Sequence, residues 1–264
     1  MNRGLKTVIL LIATVVTIFC VVYGAMVHIG GFAARSIMGA LTGDVKLELG
    51  EDLKDAKTDE LSDDVKVIKL KVNAGEVDVR KGNSNVISIS SSLEKTAPEY
   101  TFDNGVLTVT QPDIGTVGMP GKELKNKVII TLKDEPEEIS GVLELGDMDI
   151  DGITAGTIDL VLKLGDMDLN DVTANDITVE NKLGDVKLND CDFSSAVIDS
   201  KLGDVKLALK DKNSAFTFKL GVDVGEIKVD GDKFGKEHST DSGEKTLKVH
   251  CSMGDIKITT SSVL

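Results

Sequence analysis

The sequence predicts an all-β protein, a parallel β-helix or β-solenoid of about six rungs with 19-residue coils, preceded by an N-terminal transmembrane helix. Three observations predict this fold. A short glycine motif recurs at a constant interval, apolar residues alternate with period two around it, and residues 7–34 contain no charged side chain.

The N-terminal segment predicts the location of the protein. Residues 1–6 are predicted to be cytoplasmic and residues 7–34 to form a transmembrane signal anchor, since about 20 apolar residues suffice for a helix to cross a bilayer. Two basic residues precede the span and only Arg35 follows closely. The positive-inside rule then predicts a single-pass cell-membrane protein with an extracytoplasmic C-terminal domain. A cleaved signal peptide is the alternative, because Ala33-Ala34 could serve a peptidase, although its apolar region normally spans about 7–15 residues.

Residues 35–62 are predicted to form a charged stalk, and residues 63–264 the extracytoplasmic β-solenoid domain. The stretch 50–60 is rich in charge and poor in large apolar side chains, so it cannot bury enough surface to form a core. Gly43-Asp44-Val45-Lys46-Leu47 matches the repeat described next, either as an early copy or by chance. Irregular strands are predicted between Val65 and Leu132, with a hairpin turn at Asp103-Asn104-Gly105.

The repeat is centred on glycines spaced nineteen residues apart, at 146, 165, 184 and 203. Each is preceded by Leu, followed by Asp, and continued by alternating apolar and charged residues; further copies surround Gly75, Gly225 and Gly254. Apolar residues before each glycine alternate as in a strand, which predicts that Leu164, Leu183 and Leu202 face inward with their neighbours. The parity shifts after the glycine, as expected at a corner where Gly adopts positive φ without penalty.

Stacking of the coils follows from the size of the repeat. One coil buries too few apolar side chains to offset the entropy of ordering it, so the coils must share a continuous core. In that stack Cys191 replaces Ile153 and Val172 at an inward position, which predicts a buried thiol.

The predicted anchor, stalk and iterated Gly-Asp/Glu-apolar-Lys/Asp-apolar units resemble the bacterial "putative adhesin" family with β-strand repeats, a domain of unknown function, over roughly residues 63–264. The resemblance implies a membrane-tethered, extracytoplasmic β-helix and brings no catalytic residues to this chain. After Gly203 the sequence departs from strict regularity, with gaps of 22 and 29 residues and with Lys210 where an inward apolar residue is expected.

Stacking also predicts an outward acidic column, which consists of Asp147, Asp166, Asp185, Asp204, Glu226 and Asp255. Lysines in the adjoining columns are expected to balance most of this charge. In the first two rungs Asp147, Asp149, Asp166 and Asp168 instead place four carboxylates together. Since calcium prefers clustered carboxylate oxygens, these four residues are a candidate calcium site. No other cofactor is predicted.

The composition and motifs exclude several function classes. A net charge of −14 argues against nucleic-acid binding, and a chain with no Trp and two Tyr offers few stacking platforms for sugars or bases. Neither His238 nor His250 adjoins a nucleophile motif, so no enzyme is predicted.

The leading hypothesis is a structural or interaction module of adhesin type at the cell envelope, held to the membrane by its helix and binding an envelope polymer or a surface protein. An accessory or sensor protein in envelope-stress signalling and a carbohydrate-active β-helix enzyme are the alternatives, the latter by analogy of fold alone.

Overall fold

The computed structural model describes residues 56–112 and 125–261. Within these ranges the chain forms β-strands and two short 3₁₀-helices, at Glu94–Thr96 and Asn213–Ala215, with no α-helix among the described elements. The strands are β1 Lys57–Glu60, β2 Val67–Val72, β3 Glu76–Lys81, β4 Val86–Ser91, β5 Glu99–Asp103, β6 Val106–Thr110, β7 Asn126–Leu132, β8 Glu138–Leu143, β9 Met148–Asp151, β10 Thr154–Leu162, β11 Met167–Asn170, β12 Thr173–Asn181, β13 Val186–Leu202, β14 Val205–Leu209, β15 Phe216–Val224, β16 Ile227–Val229, β17 Asp232–Phe234, β18 Glu237–Ser239, β19 Lys245–Met253 and β20 Ile256–Thr259. The predicted all-β fold class is confirmed.

The predicted membrane span lies outside the described residues, as do the Gly43 motif copy and most of the predicted stalk. Among the residues that are described, none belongs to a helix long and apolar enough to cross a bilayer. Strand β1 falls within the segment predicted as stalk, where it pairs antiparallel with β4.

Each nineteen-residue cycle makes one coil of a β-solenoid. Strand β10 pairs in parallel with β12, and β12 with the second half of β13, so that Ile158, Ile177 and Ala196 lie side by side. Strands β9, β11 and the first half of β13 pair in the same way in a second sheet. The offset is nineteen residues at every step. The stacking predicted from the repeat is therefore confirmed.

Two sheets enclose the core, and every coil contributes one strand to each. The first sheet has the order β5-β6-β2-β8-β10-β12-β13-β19-β15-β18. The second has the order β1-β4-β7-β3-β9-β11-β13-β14-β20-β16-β17. Alternate side chains of both sheets point inward and form one continuous hydrophobic cluster. Burial on one face explains the period-two alternation of the sequence.

The chain passes from sheet to sheet at two kinds of corner. One is centred on the repeated glycine. The other is at Gly152, Asp171 and Asp190, which are nineteen residues apart and have φ of 66°, 51° and 53°. Aspartate tolerates this left-handed conformation better than most residues, because its short side chain can hydrogen-bond to nearby backbone.

The order of the last two coils differs from the order of the sequence. The C-terminal coil, β19–β20, lies between the β13–β14 coil and the β15–β16 coil, since Cys251 pairs with Ser200 on one side and Val222 on the other. Asp255 therefore precedes Glu226 in the acidic column, although Glu226 comes first in the sequence. The physical reason is that β17 and β18 pair antiparallel to the outer edges of β16 and β15 and cover them.

The structure also explains the two regions that depart from the regular repeat, the N-terminal strands and the segment after Gly203. At the N-terminal end, β5 and β6 form the predicted hairpin, with φ of 50° at Asn104 and 80° at Gly105. A register shift between β13 and β14 brings Leu209, rather than Lys210, into the core beside Cys191. The Lys210 ammonium points outward and lies 2.6 Å from Asp171 Oδ1.

Candidate functional site

The most regular surface of the solenoid is its glycine corner. In the regular block, four residues separate the last inward side chain of the first sheet from the first inward side chain of the second. In the coil of β10 and β11 these are Lys163, Leu164, Gly165 and Asp166. The corresponding residues of neighbouring coils stack into four columns, which are here called the lysine flank, the apolar ridge, the glycine column and the acidic ladder.

The glycine column allows the coils to approach closely at the corner. It consists of seven residues in stack order, Gly75, Gly146, Gly165, Gly184, Gly203, Gly254 and Gly225. All have φ between 126° and 151°, and from Gly146 onward a Cβ atom would lie within 2.0 Å of the carbonyl oxygen of the preceding glycine in the stack. Backbone conformation and contact thus both require glycine at this position.

The acidic ladder completes the hydrogen bonds of the corner. The Asp147 carboxylate accepts a bond from the backbone N–H of Asp166, which lies one coil further, at 2.9 Å. The same bond joins each successive pair up to the nitrogen of Glu226, over distances of 2.8 to 3.0 Å. The flanking backbone groups bond directly, for example Gly165 N to Leu183 O at 2.9 Å. The carboxylates therefore accept hydrogen bonds from backbone N–H groups that have no partner in the backbone-to-backbone ladder.

Glutamate occupies both ends of this column. Glu76 pairs with Lys127 at 3.0 Å, and Glu226 pairs with Lys228 and Lys233 at 2.6 and 2.8 Å. Within the described part of the chain, neither glutamate carboxylate accepts a backbone bond from a neighbouring corner. Glutamate, which has a longer side chain than aspartate, thus occupies the two positions where the carboxylate forms an ion pair instead of a hydrogen bond to the next corner.

The apolar ridge corrects the sequence prediction. Leu183 and Leu202 were expected to face inward, yet they are 37% and 41% exposed, and Met253 and Val224 on the next coils are 53% and 58% exposed. Leu164 is half-buried. The alternation already breaks before the glycine, because the inward positions of the first sheet end at Leu162, Asn181 and Ser200. The ridge residues stand at the corner, outside the core.

The lysine flank lies on the other side of the ridge. Its members in stack order are Glu144, Lys163, Lys182, Lys201, Ser252 and Asp223. Lys163 pairs with Glu144 at 2.5 Å, and Lys182 lies 3.9 Å from Glu180. The corners at Gly184 and Gly203 therefore present a cation, an exposed apolar side chain and an anion in that order, whereas Glu144 stands in place of the cation at the Gly146 corner.

The second sheet carries a further charged column, two residues beyond the acidic ladder. Asp78, Asp149 and Asp168 pair in register and are followed by Lys187, Lys206, Lys257 and Lys228. Burial raises the pKa of Asp149, and the charges of Asp78, Asp168 and Asp147 raise it further. Asp168 is held by Lys187, at 3.1 Å. Asp149 is thus the carboxylate with the least favourable surroundings in this column.

The four residues of the predicted calcium site lie on adjacent coils, as the repeat implied. Within residues 56–112 and 125–261, however, no group of three or more His, Cys, Asp or Glu side chains is arranged to hold a metal ion. Asp147 and Asp166 each give one oxygen to the acidic ladder. Calcium binding stays a prediction. Calorimetric titration of the full chain with calcium chloride tests it. If no heat of binding is measured and a chelator leaves the melting temperature unchanged, these residues do not bind calcium.

The cysteines and histidines do not belong to the four columns, although the Cys251 thiol reaches the glycine corner and donates to the Gly203 carbonyl oxygen at 3.2 Å. Cys191 is buried as predicted, and burial raises its pKa to about 11. Cys251 is also buried, and both thiols are free. His250 is exposed, and its Nε2 atom lies 3.6 Å from Asp223 Oδ2. His238 packs on Phe234 with ring centroids 3.7 Å apart, and burial lowers its pKa.

Two polar side chains replace apolar residues inside the stack. Asn181 and Ser200 are fully buried at the inward position that Leu162 fills one coil earlier. The Asn181 amide donates to the Gly184 carbonyl at 2.8 Å, whereas its Oδ1 atom and Ser200 Oγ have no hydrogen-bond partner among the described residues. The repeat placed both residues in line with the core, but no local pattern explains why they are polar.

Comparison with known proteins identifies one matching family. Residues 142–259 match the family model described as Toastrack DUF4097. No curated protein matches the chain. A "putative cell adhesion protein" from Clostridium sporogenes has a TM-score of 0.49 and 14% identity, covering 78% of this chain and 99% of that chain. A "putative adhesin" from Bacteroides fragilis has a TM-score of 0.44 and 13% identity, covering 79% and 98%. A "putative lipid binding protein" from Parabacteroides distasonis has a TM-score of 0.36 and 11% identity, covering 79% and 98%.

Proposed function

We propose that this chain, whose residues 142–259 carry a Toastrack DUF4097 domain, is an adhesin-like interaction module of the cell envelope. Residues 7–34 tether it to the cell membrane, and the solenoid lies on the extracytoplasmic side. The module acts by binding a partner through the apolar ridge and does not catalyse a reaction. The observation that supports this proposal is the exposure of four large apolar side chains on consecutive coils of the ridge.

The ridge has no evident role in folding. The corner needs glycine for its conformation and aspartate for its hydrogen bonds, whereas the residue before the glycine contributes mainly its backbone carbonyl to the ladder. A polar side chain would serve that purpose equally well. A continuous row of exposed large apolar side chains lowers the solubility of a protein. On soluble domains such rows are typical of interaction surfaces.

Charge restricts the kind of partner. The chain carries a net charge of −14, and only the glycine column separates the acidic ladder from the ridge. An anionic lipid surface or an anionic polymer would be repelled along this side. A protein surface with apolar and basic groups fits the ridge better.

The location is tested separately from the binding. The full chain with a C-terminal epitope is expressed in bacteria, and protease is added to cells whose outer permeability barrier, where one exists, has been opened. We expect loss of the epitope while a cytoplasmic marker stays intact. An epitope protected until the membrane is lysed would contradict the extracytoplasmic location.

Binding is tested with a matched pair of variants. Envelope extract is passed over the full chain, over Leu202→Lys in the ridge, and over Val197→Lys. Val197 is 38% exposed on the outer face of the first sheet, away from the ridge, and is therefore a control of similar exposure to Leu202. We expect bound partners to be lost with Leu202→Lys and retained with Val197→Lys. Equal retention by all three proteins would contradict a ridge-borne function.

A further inference from the structure

We propose that the partner of the apolar ridge is the ridge of a second copy of this chain, with the two stacks parallel about a two-fold axis that runs along the stack. The inference rests on the proposed function, since it names the partner for the same ridge. It follows from the order of charges at each corner and from the symmetry of paired identical surfaces.

The charges on either side of the ridge have opposite sign in the middle coils. Lys182 and Lys201 are exposed on the lysine flank, and Asp185 and Asp204 occupy the acidic ladder of the same coils. Asp185 and Asp204 share Lys206 on the second sheet, at 3.0 and 3.2 Å. Lys201 forms no ion pair among the described residues. The middle of the ridge thus has a basic side and an acidic side.

Symmetry decides how two such ridges meet. When the two-fold axis runs along the stack, the flanks exchange sides, so that the lysine flank of one copy faces the acidic ladder of the other. Leu183 and Leu202 of one copy then oppose Leu183 and Leu202 of the partner. A two-fold axis across the stack would instead set one acidic ladder against the other. Repulsion between the two acidic ladders would weaken binding in that arrangement, so the parallel arrangement is favoured.

The complementarity is confined to the centre of the ridge. Glu144 and Asp223, at the ends of the lysine flank, would face acidic residues of the partner. Coils are about 4.8 Å apart, so the favourable region spans only a few coils. Its area is well below the roughly 800 Å² per partner that stable complexes bury.

The expected dimer is therefore weak in solution and stronger at a membrane. Parallel stacks place the N-terminal strands of both copies at the same end, as two chains anchored in one membrane require. Tethering raises the effective concentration of each copy for the other without any new contact. The experiment accordingly uses the full chain in membrane vesicles.

Site-directed cross-linking tests the register directly. In a Cys20→Ser background, Leu183, Leu202 and Val224 are each replaced by Cys, and the vesicles are treated with a mild oxidant. The native Cys191 and Cys251 are buried and do not interfere. We expect a disulfide-linked dimer from all three variants, since each position meets itself across an axis that follows the stack. Val197→Cys, of comparable exposure on the outer sheet face, is expected to remain monomeric.

Each outcome is decisive. Cross-linking at only one of the three positions would indicate antiparallel stacks, because Leu183 and Val224 are about 14 Å apart along the stack, and would overturn the proposal. Cross-linking at none would exclude the ridge as a self-interface while leaving the envelope-binding test of the proposed function unaffected. Lys182→Glu combined with Lys201→Glu is expected to lower the yield from Leu202→Cys about fivefold or more, since it opposes acid to acid. An unchanged yield would overturn the charge argument.

Discussion

The Oδ1 atom of Asp166 lies 2.8 Å from the backbone nitrogen of Asp185, nineteen residues ahead and one coil along the stack. This bond gives the outward acidic column a structural role. Carboxylates one coil apart repel each other, but each one accepts the N–H of the next corner, and a charged acceptor strengthens such a bond. The Asp that follows every glycine of the regular block is therefore part of the corner itself.

Removal of one ladder carboxylate should destabilise the solenoid. For Asp166→Ala we expect the free energy of unfolding to fall by about 1–2 kcal/mol, because the N–H of Asp185 loses its partner. Asp166→Asn keeps an acceptor oxygen at the same place and should remain within about 0.5 kcal/mol of the wild type. Urea denaturation followed by circular dichroism measures both.

Glu226→Ala is the matched control for the ladder, because its carboxylate pairs with lysines and not with a backbone donor. It should destabilise the protein less than Asp166→Ala does. Equal losses in Asp166→Ala and Asp166→Asn would show that charge, and not the accepted hydrogen bond, is what matters at this position.

A methyl group in the glycine column should disrupt the stack. In Gly184→Ala the new Cβ atom would lie 1.9 Å from the Gly165 carbonyl oxygen at a φ of 132°. We expect a loss of about 3 kcal/mol or more, from backbone strain and displaced coils together. At Gly235 a Cβ atom would meet no other atom within 4 Å, so Gly235→Ala should change stability by no more than about 0.5 kcal/mol. Similar thermal midpoints for the two variants would contradict the close approach.

The pKa of Asp149 predicts stabilisation on neutralisation. Burial and the charges of Asp78, Asp168 and Asp147 raise this pKa in the folded state. Folding is then favoured below the unfolded pKa of about 3.9 and opposed as pH rises through the folded pKa. Asp149→Asn should stabilise the protein at pH 7 by about 0.5 kcal/mol, and the gain should vanish near pH 4.

Asp185→Asn should have the opposite sign. Burial acts to raise the pKa of Asp185, but the hydrogen bond from Asp204 N–H and the nearby Lys206 outweigh it and lower the pKa. The charged form thus contributes stability above the unfolded pKa of about 3.9, which is lost as pH falls through the folded pKa. Urea midpoints of both variants and the wild type between pH 4 and 7 check the two signs, and a common sign at pH 7 would refute the assignment.

His238 predicts sensitivity to mild acid. Burial against Phe234 lowers its pKa, so the neutral ring contributes stability above the unfolded pKa of about 6.5, which is lost as pH falls through the folded pKa. His238→Phe should therefore lose less stability than the wild type when the pH is lowered from 7 to 5. Chemical denaturation at a series of pH values measures the slopes, and parallel slopes would rule out this role of His238.

The repeat allowed the coils, the glycine column and the stacking to be predicted. A constant interval with period-two alternation fixes which residues are neighbours across coils, and Gly165 and Gly184 needed no further information. Leu183 was misplaced because it continues the parity of Ile177 and Val179. The sequence does not tell at which residue a corner begins.

Two features depended on long-range pairing, which no local pattern records. The insertion of the β19–β20 coil follows from antiparallel strands that cover the β15–β16 edges. Asp230-Gly231, with φ of 52° and 91°, forms the turn between β16 and β17. This Asp-Gly pair is the sequence feature from which the hairpin could have been predicted. The hydrogen bonds of the acidic ladder were also missed, because a column of alternating charges is equally compatible with a solvated face.

The order of the coils is tested most directly by distances measured from one fixed label. Spin labels are placed in pairs at Glu144 with Lys201, with Ser252 and with Asp223, which lie in one column beside the ridge. Because coils are about 4.8 Å apart, pulsed electron paramagnetic resonance should give backbone separations near 14, 19 and 24 Å in that order. A distance to Asp223 shorter than the distance to Ser252 would show that the coils stack in sequence order, and distances without a regular increment would contradict the solenoid itself.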